Sequence, residues 1–348
     1  MNDSQEQPTM TQTDGNAETR CELCGGQDHS VVATVDRDGH PLRTVACRGC
    51  GLVFSSPKPS SQELRDYYQR RYRVEYKATF EPRPKHVVRA GRVAIHRVTR
   101  LVDLLKASDR AVDLGAGGGE VVFMLRACGV DAIGVEPNEG YARFASEKLG
   151  LPVSHGFYED AQIPPGSVDL VTCFHVMEHV ESPLDALARA RSWLRVGGRM
   201  VVEVPNVEST CEWPGRKFHK AHLWNFNVAT MEGMGRKAGF SVERSYVSSD
   251  GGNLTVIFVN STNERCSTHA IPGNFDRVTA SLRTHTNASH MLSHHPYTRV
   301  FRKIQKSFSE SSAVKAATSA LELLKIESRA LPQLPSRPAT AATPGPAS

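Results

Sequence analysis

The stretch that decides the fold is Ala111-Val112-Asp113-Leu114-Gly115-Ala116-Gly117-Gly118-Gly119-Glu120. An apolar run typical of a buried strand gives way to closely spaced glycines, and an apolar-rich segment typical of a helix follows at 121–126. Glycine permits positive φ and a close approach of a ligand to the backbone, and the helix N-terminus offers unpaired N–H groups. This strand, turn and helix predict a binding site for a small polar ligand.

The spacing of the glycines separates two classes of ligand. The dinucleotide fingerprint G-x-G-x-x-G requires glycine at position 120, where this chain has Glu120, whose carboxylate would repel a pyrophosphate. A nicotinamide-dependent oxidoreductase is therefore disfavoured. Asp113, just before the first glycine, and Glu136, at the end of the next predicted strand, instead supply acceptors for an amine and for ribose hydroxyls.

These residues resemble the class I S-adenosylmethionine (SAM)-dependent methyltransferases, and the resemblance covers roughly residues 21–260. It implies a Rossmann-like α/β fold with a doubly wound, mostly parallel sheet, and SAM as the cofactor. The residues that it assigns to cofactor binding follow the first four strands of the sheet. They are Asp113, Gly115, Gly117, Gly119, Glu136, Tyr158, Glu159 and His175.

The hydrophobic pattern agrees with such a sheet. It predicts a helix over 86–106 and strands near 110–114, 132–136, 152–155, 168–173 and 199–204, with helical stretches between the strands. Segments 239–243 and 253–258 resemble the antiparallel pair that closes the family's sheet. Ligands of these sheets bind beyond the carboxyl ends of the strands, where the glycine turn, Glu136, Tyr158 and His175 fall.

Four cysteines form two closely spaced pairs near the start of the chain. Cys21-x-x-Cys24 and Cys47-x-x-Cys50 are separated by 22 residues, the arrangement of two knuckles that close one tetrahedral zinc site. Four thiolates leave no open coordination position, so the predicted zinc ribbon is structural. The single cysteines at 128, 173, 211 and 266 are interpreted as buried filler.

The segment Phe174-His175-Val176-Met177-Glu178-His179-Val180 follows the fourth predicted strand and carries candidate catalytic groups. Glu178 and His179 are placed to orient or deprotonate an acceptor. The segment is similar to that of ubiquinone-pathway and small-RNA 3′-end O-methyltransferases, which bind a divalent metal through Glu-x-x-Glu-His. This chain has His175 in place of the first Glu, and imidazole suits magnesium poorly. The sequence leaves open whether a second, catalytic metal binds here.

A loop after the fifth predicted strand carries Trp213, His219, His222, Trp224 and Phe226, a content that suits a lid over a substrate. It resembles the His-Glu-His-Leu-x-x-Phe stretch of zinc-ribbon sugar C-methyltransferases, with Ala221 in place of the Glu. Without that carboxylate, carbon deprotonation is less well supported than oxygen methylation, for which one neutral His suffices. His222 is the predicted base, and His179 is the second choice.

The chain has 348 residues, 39% hydrophobic and 23% charged, with a net charge of +5 that does not demand a nucleic-acid partner. The predicted organisation is a disordered tail (1–20), a zinc ribbon with a connecting helix (21–80), a SAM-binding domain (85–260), a helical extension (261–331) and a second disordered tail (332–348). Residues 1–20 contain no apolar signal region and no run approaches the roughly 20 residues of a membrane span. A soluble cytoplasmic protein is expected.

The C-terminal extension contains a basic amphipathic pattern. Tyr297, Phe301, Ile304 and Phe308 share one helical face, with arginines and lysines among the remaining positions. Such a helix could contact an anionic membrane surface, or pack against the main domain or a second subunit. Tyr67 and Tyr68, in the connecting helix, either line an acceptor site or pack between the two modules.

The sequence therefore predicts a SAM-dependent methyltransferase that acts on a hydroxyl of a small-molecule acceptor: a sugar, a glycan precursor or a natural product. Three alternatives stay open. A metal-assisted RNA 2′-O-methyltransferase would bind RNA in a strongly salt-dependent way. A sugar C-methyltransferase would need a base for carbon. A non-catalytic zinc-ribbon interaction protein would bind no SAM.

Overall fold

Strands and helices alternate through the middle of the chain. The computed structural model describes residues 19–71, 79–262, 270–332 and 334. The strands are β1 (His29–Val35), β2 (Pro41–Cys47), β3 (Val53–Ser55), β4 (Arg110–Leu114), β5 (Asp131–Glu136), β6 (Val153–His155), β7 (Val168–Phe174), β8 (Leu194–Pro205), β9 (Trp224–Asn225), β10 (Phe240–Val247) and β11 (Asn253–Asn260). The α-helices are α1 (Ser61–Asp66), α2 (Pro84–Thr99), α3 (Glu120–Ala127), α4 (Glu139–Arg143), α5 (Pro183–Trp193), α6 (Val228–Lys237), α7 (Asn274–Thr284), α8 (Asn287–Met291), α9 (His295–Lys315) and α10 (Ala320–Ser328).

The main sheet has seven strands in the order β10-β11-β8-β7-β4-β5-β6. Strands β4 to β8 pair in parallel, and β11 pairs antiparallel with β8 and with β10. The chain starts at the centre with β4, winds outward to β6 and then returns past β4 to β7. This confirms the predicted doubly wound, mostly parallel sheet, and it places the turn after β4 at the point where the winding direction reverses.

Most predicted elements agree with the structure, and two boundaries are wrong. Helix α2 ends at Thr99, not at 106. Strand β8 begins at Leu194 instead of 199, so the two glycines at 197 and 198 lie inside it. Gly197 has a φ of +77°, and the pairing register of β7 with β8 shifts between Val168 and Leu170. A glycine that adopts positive φ accommodates this irregularity without breaking the strand.

The N-terminal module forms a second sheet, of order β1-β2-β3-β9. Its last strand, β9, belongs to the loop that follows β8 of the main sheet, and it pairs with β3 through Val53 with Asn225 and Phe54 with Trp224. The rings of Phe54 and Trp224 are fully buried, with centroids 5.5 Å apart. The cysteine module and the loop that carries His222 therefore share one sheet.

The connecting helix α1 has a fully formed N-terminal cap. Ser60 is its N-cap, and the Ser60 hydroxyl accepts from the Glu63 backbone while the Glu63 carboxylate accepts from the Ser60 backbone. This reciprocal pair is a capping box, which satisfies two of the otherwise unpaired N–H groups. A π-helical turn, Tyr67–Arg71, continues the helix and carries Tyr68 towards the main domain.

The C-terminal helices pack back on the main domain. Leu324 of α10 lies against Gly91 of α2, where an added Cβ would come within 2.8 Å of the leucine methyl group. Arg89 of α2 donates two hydrogen bonds, of 2.8 and 2.7 Å, to Glu310 of α9. On the same helix Tyr297 and Phe308 are 63% and 73% exposed. The extension is thus held by one face of α9, and part of its apolar face is exposed.

Within the described ranges, no helix combines the length and the apolar character needed to cross a membrane. The predicted tails, residues 1–18 of the first and nearly all of 332–348, lie outside the described residues, as does Cys266. The predicted domain boundaries stay predictions.

Candidate active site

A cavity of about 700 Å³ lies beyond the carboxyl ends of the parallel strands. One wall comes from the turn after β4 and the ends of β5 and β6, and another from the segment after β7. The remaining sides are closed by the hairpin that joins β1 to β2, the turn after α1, the loop between β8 and β9, and the turn between β10 and β11. The lining includes Arg37, Tyr68, Gly115, Glu136, Gly156, Tyr158, Glu159, His175, Glu178, His179, Lys217 and His222.

The glycine turn is shaped by two contacts with β5. The amides of Gly115 and Ala116 both donate to the carbonyl of Val135, at 2.8 and 3.0 Å. Gly115 has a φ of +75°, and a Cβ at this position would overlap a methyl group of Val176. A side chain at position 115 is therefore excluded both by the backbone conformation and by the segment after β7.

The glycine at 119 has a different role from the one the sequence predicts. Its φ is +83°, and it precedes the first residue of α3. A Cβ there would come within 2.7 Å of Leu151 and 3.0 Å of Ala145. Gly119 thus lets α3 pack against the segment before β6, and it does not line the cavity.

Glu136 closes the turn from the neighbouring strand. Its carboxylate is 2% exposed and accepts from the amides of Gly117, at 2.7 Å, and of Asn138, at 3.0 Å. These two bonds fix the carboxylate at the cavity wall. Each carboxylate oxygen has two lone pairs, so the group keeps acceptor capacity for a diol in the cavity.

Asp113 does not reach the cavity. Its carboxyl group is buried between β4 and β7, where it accepts from the Thr172 hydroxyl at 2.6 Å. Burial raises the pKa of Asp113 to about 7, an effect that the Thr172 bond opposes. Asp113 therefore stabilises the end of β4 from inside the sheet. It does not line the cavity, so it cannot contact a bound cofactor directly.

The segment after β6 forms the far end of the cavity. Gly156, Phe157, Tyr158 and Glu159 all line it, and Tyr158 is mostly buried. Arg65 of α1 lies over the Phe157 ring, 4.6 Å from its centroid, and contacts Asp160 at 3.4 Å. The position of Glu159 agrees with the predicted cofactor end, and Asp160 is engaged outside the cavity.

His175 joins two carboxylates at the centre of the site. Its φ is +58°, an uncommon conformation for a residue with a side chain. Its Nδ1 lies 3.3 Å from Glu178 and its Nε2 lies 3.4 Å from Glu203. Burial lowers the pKa of His175, but these two carboxylates outweigh burial and raise it to about 9.

Arg97 and Glu203 extend this network into the main domain. The Arg97 Nε donates to Glu203 at 3.0 Å, and its guanidinium lies over the Phe174 ring at 4.4 Å. Burial raises the pKa of Glu203, whereas His175 and Arg97 outweigh burial and hold it at about 2. The sequence alone predicts a role for neither residue, although Glu203 lies near the end of β8, at the edge where such sheets bind ligands.

Glu178, His179 and His222 form a cluster beside His175. One ligand-type atom from each lies within 4.8 Å of the others. The Glu178 side chain is 2% exposed, and neither of its oxygens accepts a hydrogen bond from the described residues. Burial raises its pKa, but His179 and His175 outweigh burial and lower it to about 2. A buried carboxylate is thus left without a hydrogen bond in the predicted catalytic segment.

The tautomer of His179 is fixed by the loop that carries His222. The Nδ1 of His179 lies 2.7 Å from the carbonyl oxygen of Ala221, so this nitrogen donates the hydrogen bond. The Tyr68 hydroxyl donates to the same carbonyl at 2.8 Å. The Nε2 of His179 therefore faces Glu178, at 3.8 Å from it. Tyr68 lines the cavity as well as packing between the modules.

His222 completes the cluster from the opposite side. Its ring centroid is 4.8 Å from that of His179, and the two rings are nearly perpendicular. Burial and the neighbouring His179 hold the pKa of His222 well below its ordinary value. The imidazole is therefore neutral at pH 7 and has an unprotonated nitrogen. The structure brings together the three predicted catalytic residues, His222, His179 and Glu178, although their roles stay predictions.

The four paired cysteines converge in the N-terminal module, beside the end of β2. Sγ of Cys21 lies 3.4 Å from that of Cys50, and Sγ of Cys24 lies 3.4 Å from that of Cys47. All four sulfur atoms lie within 4.8 Å of one another. A Cβ on Gly26 or Gly49 would lie 3.3 Å from Sγ of Cys24, so small residues leave room around the sulfurs.

Comparison with known proteins agrees with this geometry. Residues 86–245 match the family model of a methyltransferase domain. The ubiquinone biosynthesis O-methyltransferase of Methylococcus capsulatus is 32% identical over 106 residues, 29% of this chain and 45% of that protein. An uncharacterized 37.1 kDa protein of Streptomyces fradiae is 31% identical over 134 residues, 35% of this chain and 38% of that protein. The chain thus spans less than half the length of these relatives.

Among solved structures, a SAM-dependent methyltransferase of Thermotoga maritima, described as a possible histamine N-methyltransferase, is similar at 23% identity with a TM-score of 0.42. The match covers 55% of this chain and 97% of that one. The family match and the strand order agree with each other. Residues 86–245 match a methyltransferase domain and have the Rossmann-like fold of such a domain.

Proposed function

We propose that this protein transfers the methyl group of SAM to a hydroxyl of a small polar acceptor, of the sugar or glycan-precursor class. The proposal rests on one observation: the polar end of the cavity is lined by His222, which is neutral and lies next to Glu178 and His179. The residues that line this end are Arg37, Asn206, Ser209, Cys211, Glu212, Lys217, Asn225, Asp250 and Asn253.

The composition of that lining favours a polyhydroxylated acceptor. Amides, a hydroxyl, carboxylates and two cationic side chains alternate around the space, and each offers a hydrogen-bond donor or acceptor. A sugar presents several hydroxyls that both donate and accept, so it satisfies such a surface from many directions. An acceptor with a long apolar tail would shield this polar surface from water without offering it hydrogen bonds, and each group that loses its hydration in this way costs about 1–3 kcal/mol.

The opposite end of the cavity suits the cofactor. Glu136 offers carboxylate lone pairs for the ribose hydroxyls, and the bare backbone at Gly115 allows the nucleoside to approach closely. Phe157 and Glu159 offer an aromatic face and an acceptor for the adenine. With SAM in this orientation, its sulfonium methyl would lie towards the segment after β7, where His175 and the cluster are.

The chemistry asks for placement and one proton acceptor. SAM is an activated electrophile, so much of the rate comes from holding the acceptor oxygen in line with the methyl group at near-attack distance. His222 would take the hydroxyl proton as the methyl group transfers. His179 would be the second choice, with its ring held by Ala221 and Tyr68. Glu178 beside both rings would stabilise the imidazolium that forms.

The direct test is transfer of an isotopically labelled methyl group from SAM to a panel of sugar nucleotides and free sugars, followed by mass spectrometry. We expect label on an oxygen of a sugar, and S-adenosylhomocysteine in equal amount. Binding of SAM without transfer to any polyhydroxylated acceptor, together with transfer to an RNA or to a prenylated phenol, would overturn the substrate class.

A second candidate mechanism is metal-assisted transfer. It is favoured by the buried carboxylate of Glu178, which is ion-paired with His175 but accepts no hydrogen bond from the described residues. The related metal-dependent enzymes imply such an ion, and the residues present fit one. Glu178, His179 and His222 supply one carboxylate and two imidazoles, a donor set that suits manganese, iron, cobalt, nickel or zinc better than magnesium. The Ala221 carbonyl accepts from Nδ1 of His179, so Nε2 is the nitrogen that would bind the ion. When bound, the ion would polarise the acceptor hydroxyl and lower its pKa.

Chelation separates the two mechanisms. The protein is treated with a chelator until only the zinc of the cysteine site remains, as measured by elemental analysis. Full activity of that material supports His222 as a metal-free base. Loss of activity, with recovery on addition of manganese or cobalt but not magnesium, supports the metal.

The cysteine cluster is proposed to bind one structural zinc ion. The support is the convergence of four sulfur atoms in two knuckles, the donor set that zinc prefers, with small residues around them. The ion would hold the module whose sheet includes β9, and through β9 it would help to hold the loop that carries His222.

A further inference from the structure

A buried pair of histidines joins the C-terminal extension to the loop over the acceptor end of the cavity. Nε2 of His285 lies 3.3 Å from Nδ1 of His290, and the same Nδ1 lies 3.1 Å from the carbonyl oxygen of Thr210. His285 is 6% exposed and His290 is 2% exposed. Thr210 lies between Ser209 and Cys211, and both of these residues line the cavity. The pair therefore holds a wall of the acceptor site from outside.

The protonation state of the pair follows from its partners. The Thr210 carbonyl can only accept, so Nδ1 of His290 carries a hydrogen and donates. Nε2 of His285 then has to be the acceptor of the same hydrogen. His285 consequently carries its own hydrogen on Nδ1, which is buried and finds no hydrogen-bond partner in the described part of the chain. Only a neutral His285 ring satisfies this arrangement.

A proton added to His285 would break the arrangement. Its Nε2 would become a donor that points at another donor, Nδ1 of His290. The titratable groups that face His285 are Lys217 from the loop, His290 from α8 and His295 from α9, and each of them disfavours a positive charge there. The pair thus has no described anion to stabilise an imidazolium.

Other contacts limit what would move. Arg277 of α7 makes two hydrogen bonds with Glu208, at 2.8 and 2.9 Å, and the Asn274 side chain donates to the Cys50 carbonyl at 2.8 Å. These contacts keep α7 attached to the domain. The Trp213 ring, 4.8 Å from that of His290, belongs to the part of the loop that depends on the histidine pair.

We propose that His285 and His290 form an acid-sensitive clasp that closes the loop of residues 209–213 over the acceptor end of the cavity and releases it on protonation. Burial and Lys217 lower the pKa of His285 from 6.5 to about 4 in the closed form. The open form, with the ring in water, has the higher pKa, so acid favours opening. Between pH 6.5 and about 4, each pH unit shifts the equilibrium up to about tenfold towards the open loop.

Trp213 gives a readout that needs no substrate. Trp193 and Trp224 are fully buried, whereas Trp213 is partly exposed, so acrylamide quenching reports chiefly on the loop. We expect the quenching constant of the wild type to rise reversibly between pH 7.5 and 5, with an unchanged far-UV circular dichroism spectrum. In His285→Gln it should be independent of pH. His294→Gln, an exposed neighbour without a bond to the loop, is the matched control and should behave as the wild type.

Two results would overturn the clasp: a wild-type quenching constant that does not change with pH, or a pH response that persists in His285→Gln. If His285→Gln folds poorly, His285→Asn replaces it, because its shorter amide likewise cannot titrate. Any effect of the clasp on the rate of methyl transfer rests on the proposed function. If the loop responds to pH while no sugar is methylated, the clasp stands and the substrate assignment fails.

Discussion

The Glu136 carboxylate accepts the amide N–H of Gly117 at 2.7 Å, across 19 residues of sequence. This one bond ties the end of β5 to the turn after β4 and sets both the shape of the turn and the direction of the carboxylate. A residue that would contact the ribose also organises the backbone against which the nucleoside would lie. Cofactor binding and the local fold therefore depend on the same side chain.

Replacing Glu136 by Gln should weaken SAM binding about ten- to a hundredfold, because a hydrogen bond to a charged acceptor contributes about 1.5–3 kcal/mol. Titration calorimetry measures this change in Kd. Replacing Glu139, an acidic residue in the first turn of α4, by Gln is the matched control and should leave the Kd unchanged. Equal affinities for the wild type and Glu136→Gln would refute the ribose assignment.

Substituting Gly115 by Ala should weaken SAM binding by about tenfold or more, because the new Cβ overlaps Val176 and displaces the cavity wall. A tenfold change in Kd corresponds to a loss of about 1.4 kcal/mol of binding free energy. Gly150 also has positive φ, +64°, but nothing lies within 4 Å of an added Cβ. Gly150→Ala thus imposes the backbone strain without the collision. Gly150→Ala should lower thermal stability and leave the Kd for SAM unchanged. If Gly150→Ala also binds SAM more weakly, backbone strain and not the collision with Val176 would explain the weaker binding of Gly115→Ala.

Replacing His222 by Ala should lower kcat by about 10²- to 10⁴-fold with little effect on the Kd for SAM, since a general base acts in the transition state. The comparison is His219→Asn, whose side-chain oxygen can still accept from the Ala221 amide as Nδ1 of His219 does at 3.2 Å. That variant should keep most of its kcat. Near-normal turnover by His222→Ala would remove this residue from the mechanism.

Acid should destabilise the fold through Glu203. Its pKa is held at about 2 in the folded chain, below its ordinary 4.5, so its stabilising effect is present above pH 4.5 and is lost as the pH falls towards 2. A shift of this size corresponds to at most about 3 kcal/mol. Urea unfolding at pH 5 and pH 3 should show this loss in the wild type. In Glu203→Gln, stability at pH 5 should already be lower, and its further loss at pH 3 should be smaller.

Removing one cysteine of the cluster should remove the metal. We expect about one zinc per chain in the wild type by elemental analysis and far less in Cys47→Ser, with a lower Tm, because three thiolates bind zinc more weakly than four. Cys128→Ser changes a buried cysteine that has no part in the cluster. It should keep the zinc. A metal-free wild type with normal stability would show that the cluster is not a zinc site.

The sequence predicts the parallel sheet and the cofactor end well because their signals are local. The glycine turn, the acidic residue at the end of β5 and the apolar strands each lie within a few residues, and parallel strands bring their ends to one edge. Asp113 shows the limit of this reasoning. A carboxylate next to the turn was expected to face the ligand, but the Thr172 hydroxyl on the neighbouring strand holds it inside the sheet.

The acceptor end is less predictable for a physical reason. It is assembled from the β1–β2 hairpin, the turn after α1, the loop after β8 and the β10–β11 turn, which are far apart in sequence. Arg37 and Lys217 carry no local pattern that marks them as lining residues. The pairing of β3 with β9 brings these parts together, and a two-residue strand inside a loop has too short a pattern to be recognised in advance.

That pairing also restricts how the enzyme can be redesigned. Because β9 is the edge strand of the cysteine module's sheet, a foreign β8–β9 loop grafted to alter substrate choice would arrive without its natural neighbour. Chimeras that exchange this loop alone should misplace the histidine at 222, whereas those that exchange the hairpin region and the loop as one unit should keep it in position.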